Sequence, residues 1–191
     1  MIENAVVLVN EQDEEIGTME KMEAHRKALL HRAFSVFIFN AKGEMLLQRR
    51  ALNKYHSGGL WTNACCSHPR PGETAPDAAI RRLREELGFV TTLTGAFNFV
   101  YKAAFDNGLT EYEFDHVFIG ITDNIPQINL QEVAEYKYLD YSDLSLDIKE
   151  NPNLVRRLLR NTNVKIRIIN DVYATFLLTS QAQSSSISSD E

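Results

Sequence analysis

Both cysteines of the chain lie side by side in the stretch LWTNACCSHP, and a histidine follows two residues after the second. In an extended strand alternate side chains share a face, so Cys66 and His68 would point one way and Cys65 the other. Adjacent cysteines cannot build a disulfide framework, and a zinc knuckle would need further cysteines at C-x2-C spacing. Two interpretations stay open: a buried strand in which cysteine is a small apolar residue, or a strand that presents one thiol to a reaction.

A second alternation places carboxylates along one face of the segment TEYEFDHVFIG. Glu111, Glu113 and Asp115 fall on one face, and the residues between them are aromatic or histidine. Three carboxylates on one strand face repel one another unless a cation, water or basic partner lies opposite. The segment is therefore either a solvated strand face or part of a metal or catalytic site.

Three of the five histidines are candidate ligands: His25 and His31 precede a predicted strand, and His68 follows Cys66. Imidazole and carboxylate together suit a divalent transition metal, whereas carboxylate and phosphate oxygens suit Mg2+. Taken singly, each histidine is equally consistent with an ordinary surface or core residue. Only their convergence in the fold would make a site.

The segment from Glu73 to Phe89 reads E-x7-R-R-L-x-E-E-x-G-F. This pattern resembles the Nudix box, whose helix presents glutamates to Mg2+ bound to a diphosphate. The box is degenerate, because Arg82 stands where a glutamate is expected and Ser67 where a glycine is expected. The resemblance implies a helix that holds a diphosphate without cleaving it well. The alternative is that Arg82 and Glu86 form an ordinary i, i+4 surface pair.

Strands and helices must position these side chains, and the sequence marks most of them. Runs rich in β-branched and aromatic residues predict strands at 5–9, 33–39, 94–105, 111–121 and 136–139, with a turn at 40–44 that leads into the strand MLLQRR. Helical patterns cover 151–160 and 164–178. The segment 18–31 has helix-compatible residues and contains neither glycine nor proline. Whether it is helical stays open.

The best-marked helix covers residues 74–87. Thr74 stands at the position of an N-cap, and Gly88 is a ready C-terminal stop. Ile80, Leu83 and Leu87 recur at i, i+3 and i+7, so one side of this helix is predicted to face a core.

Length and composition favour one mixed α/β domain, since the chain has 191 residues of which 44% are hydrophobic. We expect this domain at 1–179, followed by a disordered serine-rich tail at 180–191. The net charge of −6 argues against a sequence-independent nucleic-acid binder. The sequence has no secretory leader and no apolar run of about 20 residues, so we predict a cytoplasmic protein that does not enter a membrane.

The box-like helix, together with WTNACCSHP, LLHRAFSVF and TEYEFDHVF, resembles type I isopentenyl-diphosphate Δ-isomerases over most of the chain. That family interconverts isopentenyl and dimethylallyl diphosphates, the precursors of isoprenoid biosynthesis, by protonation at one carbon and deprotonation at another. The resemblance implies a Nudix-like α/β/α sandwich with a central mixed sheet. It also implies a small-molecule isoprenoid diphosphate substrate and a monomeric enzyme.

The same resemblance implies roles for individual residues. An acid–base pair that flanks the isoprenoid carbons would be Cys66 and Glu113, assisted by Tyr101. A tightly bound Mn2+, Zn2+ or Mg2+ would have as ligands His25, His31, His68, Glu111 and Glu113. The Mg2+ that arrives with the diphosphate would meet Glu86 and the backbone carbonyl of Cys66. The cations that contact the diphosphate would be Lys21, Arg50, Lys54 and Arg82.

One departure concerns a tryptophan that family members carry in their C-terminal part to cap the pocket. The only tryptophan here is Trp61, and the nearest counterpart segment, 162–165, reads TNVK. Tyr136, Tyr173 or Phe176 could offer an aromatic face to a developing cation instead. Two other functions stay open: a Nudix-type diphosphohydrolase, and a metal-binding or catalytically weak relative that keeps the fold.

Overall fold

The computed structural model describes residues 4–53, 58–104, 108–150 and 162–187. Its strands are β1 (Ala5–Val9), β2 (Glu15–Glu20), β3 (His31–Phe39), β4 (Met45–Arg50), β5 (Trp61–Thr62), β6 (Cys65–Ser67), β7 (Leu93–Ala104), β8 (Thr110–Ile121) and β9 (Val133–Leu139). Its helices are α1 (Lys21–Lys27), α2 (Ala75–Leu87), α3 (Tyr141–Glu150) and α4 (Thr162–Ile187).

The strands of this described part form a single mixed sheet with β3 at its centre. β3 pairs antiparallel with β1, β4 and β6, and parallel with β8 along its whole length. β7 adds to the far side of β8, and β9 adds to β4. The mixed central sheet that the sequence predicts is therefore confirmed.

Alternate side chains of β3 enter two different cores, one on each face of the sheet. Phe34, Val36 and Ile38 pack with the buried face of α2. Phe37 and Phe39 pack with apolar residues of α3 and α4 on the opposite face. The sheet thus lies between two helical layers, which confirms the predicted α/β/α sandwich.

Helix α2 begins and ends where the sequence predicts. Thr74 is its N-cap and accepts a hydrogen bond from the Asp77 backbone N–H, with N···O 3.2 Å. Gly88 closes it in the left-handed region, with φ 73°. Leu83 and Leu87 are fully buried, so the predicted apolar face is confirmed.

Other segments differ from the sequence-based expectation. The open segment 18–31 contains the end of β2 and the short helix α1. Helix α3 was not predicted, because Leu144 and Ile148 are its only buried residues and make too short an apolar stripe to stand out. The predicted helix at 151–160 lies outside the described residues. Helix α4 continues to Ile187, so part of the segment expected to be a disordered tail is helical here.

None of the helices in the described ranges combines the length and the apolar composition needed to cross a membrane.

The glycine that ends α2 is also required for close packing. A Cβ at Gly88 would lie 2.7 Å from the carbonyl oxygen of Gln127, whereas a Cβ at Gly72, with φ +81°, would meet nothing within 4 Å.

We expect Gly72→Ala to lower the free energy of unfolding by about 1 kcal/mol, from backbone strain alone. Gly88→Ala should cost roughly 3 kcal/mol, because a clash with backbone adds to the strain. Urea unfolding of both variants checks this, and equal losses would contradict it.

Candidate active site and metal centre

Three histidines and a glutamate converge where β3 and β8 begin to pair. His31 opens β3 and lies directly opposite Glu113 in the parallel register. His25 comes from α1, and His68 follows β6, which pairs with the other edge of β3. All four side chains are buried.

The nitrogen atoms of the cluster surround one carboxylate oxygen. The Nε2 atoms of His25, His31 and His68 lie 3.8, 3.7 and 3.0 Å from Glu113 Oε1. Ligands held about 2.0–2.1 Å from a tetrahedral ion stand roughly 3.4 Å apart, so these spacings fit a divalent metal. The buried Nε2 atoms of His25 and His31 make no hydrogen bond to the described part of the protein, which also fits a metal-binding role.

Hydrogen bonds and burial orient the cluster for a metal. His31 Nδ1 lies 2.8 Å from the Leu29 carbonyl oxygen, which can only accept, so Nδ1 carries a proton and Nε2 is the ring nitrogen that faces the cluster. Burial and the charge of Lys21 lower the pKa of His68 well below its usual value, so its imidazole is neutral at neutral pH. Burial alone would raise the pKa of Glu113, but the three histidines around it, with His68 at hydrogen-bond distance, outweigh this effect and hold that pKa well below its usual value. A neutral imidazole at His68 beside an ionised Glu113 carboxylate is a pair that can bind a divalent metal.

The carboxylates of β8 are buried rather than solvated. Glu111, Glu113 and Asp115 are 4%, 5% and 2% exposed, which excludes the solvated-face interpretation. Tyr101 lies opposite Glu113 on β7, and its hydroxyl is 2.5 Å from Glu113 Oε2 and 3.2 Å from Glu111 Oε2. Burial and the neighbouring carboxylates raise the pKa of Tyr101, so it stays a phenol and donates its one proton to the closer Glu113. Glu111 lies beside the four-residue cluster but is not one of its converging members.

The two cysteines face opposite sides of the sheet, as the strand alternation predicts. Cys65 pairs with Val36 and is fully buried in the core beneath α2. Cys66 pairs with Ser35, is half-buried and lines a small cavity together with Tyr101 and Glu113. The structure thus brings the predicted thiol, phenol and carboxylate into one cavity.

Sequence reasoning missed Ser35, which also lines this cavity. Its hydroxyl donates to Asp115 Oδ2 at 2.8 Å, and both residues are buried on the face that carries Cys66. The signal was present in the alternation of β3, since Ser35 shares its face with His31. A serine inside an apolar strand was not interpreted as a cavity residue.

A larger cavity of about 620 Å3 opens beside the cluster and is rich in cations. Lys21, His68, Arg70, Arg81 and Arg82 are among its lining residues. Two of the four predicted diphosphate contacts, Lys21 and Arg82, are therefore on this cavity. Arg50 ends β4 and is not among the lining residues, and Lys54 lies outside the described residues.

Arg82 does not form only a surface ion pair with Glu86, because it contacts three carboxylates. Its guanidinium donates to Glu85 at 2.7 Å, to Glu132 at 3.1 Å and to Glu86. Glu86 is only 4% exposed, so the pair lies partly inside the protein. The arginine that replaces the Nudix glutamate is thus held by three carboxylates.

The proposed substitutes for the missing tryptophan are placed elsewhere. Tyr173 and Phe176 pack on Phe39, with ring centroids 5.0 and 4.2 Å apart, in the core beneath α4. Tyr136 lines a separate cavity with Tyr138. None of the three lines the cavity that holds Cys66. The sequence could not place these residues, because it does not show which face of the sheet α4 covers or which strand β9 pairs with.

The aromatic residues beside the cavity come from β7 instead. Phe97, Phe99 and Tyr101 alternate along one face, and the Phe99 ring centroid lies 5.7 Å from that of Tyr101. Phe99 is paired with Asp115, two residues along β8 from Glu113. The spacing F-x-F-x-Y was visible in the sequence and was interpreted only as a strand.

Comparison with known proteins agrees with this geometry. A model of the NUDIX domain matches residues 29–161. An "Isopentenyl-diphosphate Delta-isomerase 2" from Aromatoleum aromaticum is 50% identical over 151 residues, which are 79% of this chain and 80% of that protein. An "Isopentenyl-diphosphate Delta-isomerase" from Pectobacterium atrosepticum is 52% identical over 147 residues, covering 77% of this chain and 82% of that protein.

Solved structures show the same architecture at low sequence identity. The Deinococcus radiodurans protein DR0079 superposes with a TM-score of 0.71 at 21% identity, covering 88% of this chain and 99% of that one. A MutT protein from Methanosarcina mazei gives a TM-score of 0.58 at 20% identity, covering 74% and 95%. At these identities the similarity shows the fold alone.

The converging cluster predicts a metal-dependent stability. After treatment with a chelator, added Mn2+ or Zn2+ should raise the melting temperature, since an ion at a hundred times its Kd adds about 2.7 kcal/mol. His68→Gln should remove most of this rise because it removes one ligand. His116→Gln is the matched control, since His116 lies on the other face of β8 and contacts Asp13 at 2.9 Å. Calorimetry with metal analysis measures both, and an undiminished rise in His68→Gln would contradict the metal centre.

Proposed function

Because the chain belongs to the isopentenyl-diphosphate Delta-isomerase family of NUDIX-domain proteins, we propose that it interconverts isopentenyl diphosphate and dimethylallyl diphosphate. The observation that carries the proposal is that Cys66, Tyr101 and Glu113 line one cavity, next to a histidine cluster and a cation-rich opening. We place the protein in isoprenoid precursor synthesis on the same grounds.

The reaction moves a double bond by adding a proton at one carbon and removing a proton from another. An alkene is a very weak base, so its protonation needs a well-placed acid, little water and stabilisation of positive charge. Of the groups that line the cavity, we assign Cys66 and Glu113 as the pair that exchanges protons with the substrate. One donates while the other accepts, and the roles reverse for the reverse reaction.

Glu113 would serve both as a metal ligand and as an acid–base group. A divalent ion bound by His25, His31, His68 and Glu113, with Glu111 as a fifth ligand, would supply positive charge that lowers the proton affinity of Glu113. The ion would be Mn2+, Zn2+ or Mg2+, and the three imidazoles favour Mn2+ or Zn2+ over Mg2+. The Tyr101 hydroxyl holds Glu113 Oε2, so the orientation of this carboxylate is set from the side opposite the histidines.

The positive charge that develops on the substrate would find partners inside the cavity. The carboxylates of Glu113 and Asp115 are buried, and the attraction between opposite charges is stronger in a water-poor site than in bulk water. The Phe99 ring beside Tyr101 is a candidate aromatic face.

The diphosphate would bind in the cation-lined cavity. Lys21 and Arg82 lie on its wall, and local cations allow a protein with a net charge of −6 to bind an anion. The Mg2+ that neutralises the diphosphate would be met by Glu86 and by the Cys66 carbonyl. Because Arg82 occupies a position where a Nudix hydrolase has a glutamate, we expect the diphosphate to be held rather than cleaved.

Turnover in D2O tests the reaction directly. With isopentenyl diphosphate and Mg2+, proton NMR should show dimethylallyl diphosphate and deuterium incorporation, with no phosphate released. Cys66→Ala should lower kcat by about 10³-fold, as expected when a general acid or base is removed. Phosphate release that survives Cys66→Ala would indicate a diphosphohydrolase. Retention of bound metal without turnover in the wild type would indicate a binding protein.

The role of Tyr101 can be separated from that of an ordinary strand tyrosine. Tyr101→Phe should lower kcat by roughly 10- to 100-fold, because it removes a hydrogen bond that orients Glu113. Tyr112→Phe on the neighbouring strand is the matched control, since its ring lies on the other face beneath Lys102. Steady-state kinetics of both variants measures this, and equal rates for the two would exclude the assigned role.

A further inference from the structure

The buried carboxylate of Glu86 is held by donors that the roles above leave unexplained. Its Oε2 accepts a hydrogen bond from Gln48 Nε2 at 2.8 Å. Its Oε1 accepts from the Arg82 guanidinium and lies 3.5 Å from Cys65 Sγ. A buried carboxylate must be paired or hydrogen bonded, and here each oxygen has its own donors.

Gln48 is not explained by stability alone. It is 2% exposed on β4, on the face of the sheet that packs against α2. A carboxylate can only accept, so the amide nitrogen must face Glu86 and the amide oxygen must face away. That oxygen is buried and has no hydrogen-bond partner in the described part of the chain, at a cost of about 1–3 kcal/mol.

The cysteine strand is fixed to the same region by the Thr-Asn pair that precedes it. Asn63 Nδ2 donates to the backbone oxygens of Val36 and Cys65, at 3.0 and 2.8 Å. The Thr62 hydroxyl donates to Asn63 Oδ1 at 2.8 Å. Gln48 pairs with Thr62 across β4 and β5. Short contacts therefore connect Gln48, which donates to Glu86, with strand β6, which carries Cys66.

We propose that Gln48 is a positioning residue, because its hydrogen bond fixes Glu86 Oε2. Glu86 Oε1 is then the oxygen that releases Arg82 and binds the divalent cation of the diphosphate. This inference rests on the proposed function. Arg82 has two further carboxylate partners, Glu85 and Glu132, so it stays in place on the cavity wall when Glu86 releases it.

Loss of the Gln48 amide would favour the ion pair of Glu86 with Arg82 over binding of the cation by Glu86. Without a donor on Oε2, both carboxylate oxygens of Glu86 would turn to the guanidinium of Arg82, the remaining strong donor. The cation would then compete with a stronger ion pair. Removing the hydrogen-bond partner of a metal ligand typically weakens metal affinity by about 10- to 100-fold.

Calorimetric titration of the full chain with inorganic pyrophosphate, with and without added Mg2+, tests the proposal. Gln48→Met and Gln48→Glu keep the side-chain length and remove the amide donor. Both should weaken pyrophosphate binding about 10-fold or more when Mg2+ is present, with little change when Mg2+ is not added. Gln131→Met, at an exposed position, is the matched control and should bind as the wild type does. Thermal unfolding and metal content at the histidine cluster establish that each variant is folded.

Two results would overturn the proposal. One is an unchanged Mg2+ dependence in both Gln48 variants, and the other is an equal loss of binding with and without Mg2+. A wild-type protein that binds pyrophosphate with Mg2+ but does not rearrange isopentenyl diphosphate would refute the isomerase function, while the comparison of Gln48 variants would still decide the role of Gln48.

Discussion

The parallel pairing of β3 with β8 is the constraint on which the rest of the site depends. It sets His31 opposite Glu113 and aligns the strands as far as Phe39 and Ile121. Because side chains alternate, a shift of one residue in this register would move Glu113 to the opposite face, away from Cys66 and the histidines. The apolar residues farther along both strands fill two separate cores, so the register that assembles the site is enforced by burial elsewhere in the sheet.

Burying this many charges opposes folding, and the structure offsets that cost with specific partners. Glu113 is surrounded by three imidazoles and a phenol, Asp115 accepts from Ser35, and Glu86 is held by Gln48 and Arg82. Well-packed apolar residues would serve stability at least as well as such buried ion pairs. The arrangement is therefore better explained by chemistry: a cluster that is ready for a metal lies next to a cavity lined by a thiol and a carboxylate.

Local patterns in the sequence predicted most of the fold and part of the site. Strand alternation separated Cys65 from Cys66 and grouped the β8 carboxylates, and the caps of α2 marked its ends, because these features depend on neighbours in sequence. The convergence of the histidines could not be derived from their spacing, since it depends on pairing between strands far apart in the chain, and only the family resemblance implied it. The placement of Tyr173 on Phe39 rather than at the cavity was missed for the same reason, and so was the contact between Gln48 and Glu86.

The two adjacent cysteines show how one strand can serve both layers of the sandwich. Cys66 faces the cavity of Glu113 and Tyr101, whereas Cys65 reaches Glu86 on the helix beneath the opposite face. The proposed proton-transfer group and the residue proposed to bind the diphosphate cation are thus linked by the peptide bond between the two cysteines and by the contact of Cys65 with Glu86. Since a strand within a packed sheet cannot easily shift along its neighbours, the position of the Cys66 thiol relative to the core beneath α2 is set by strand pairing rather than by a mobile loop.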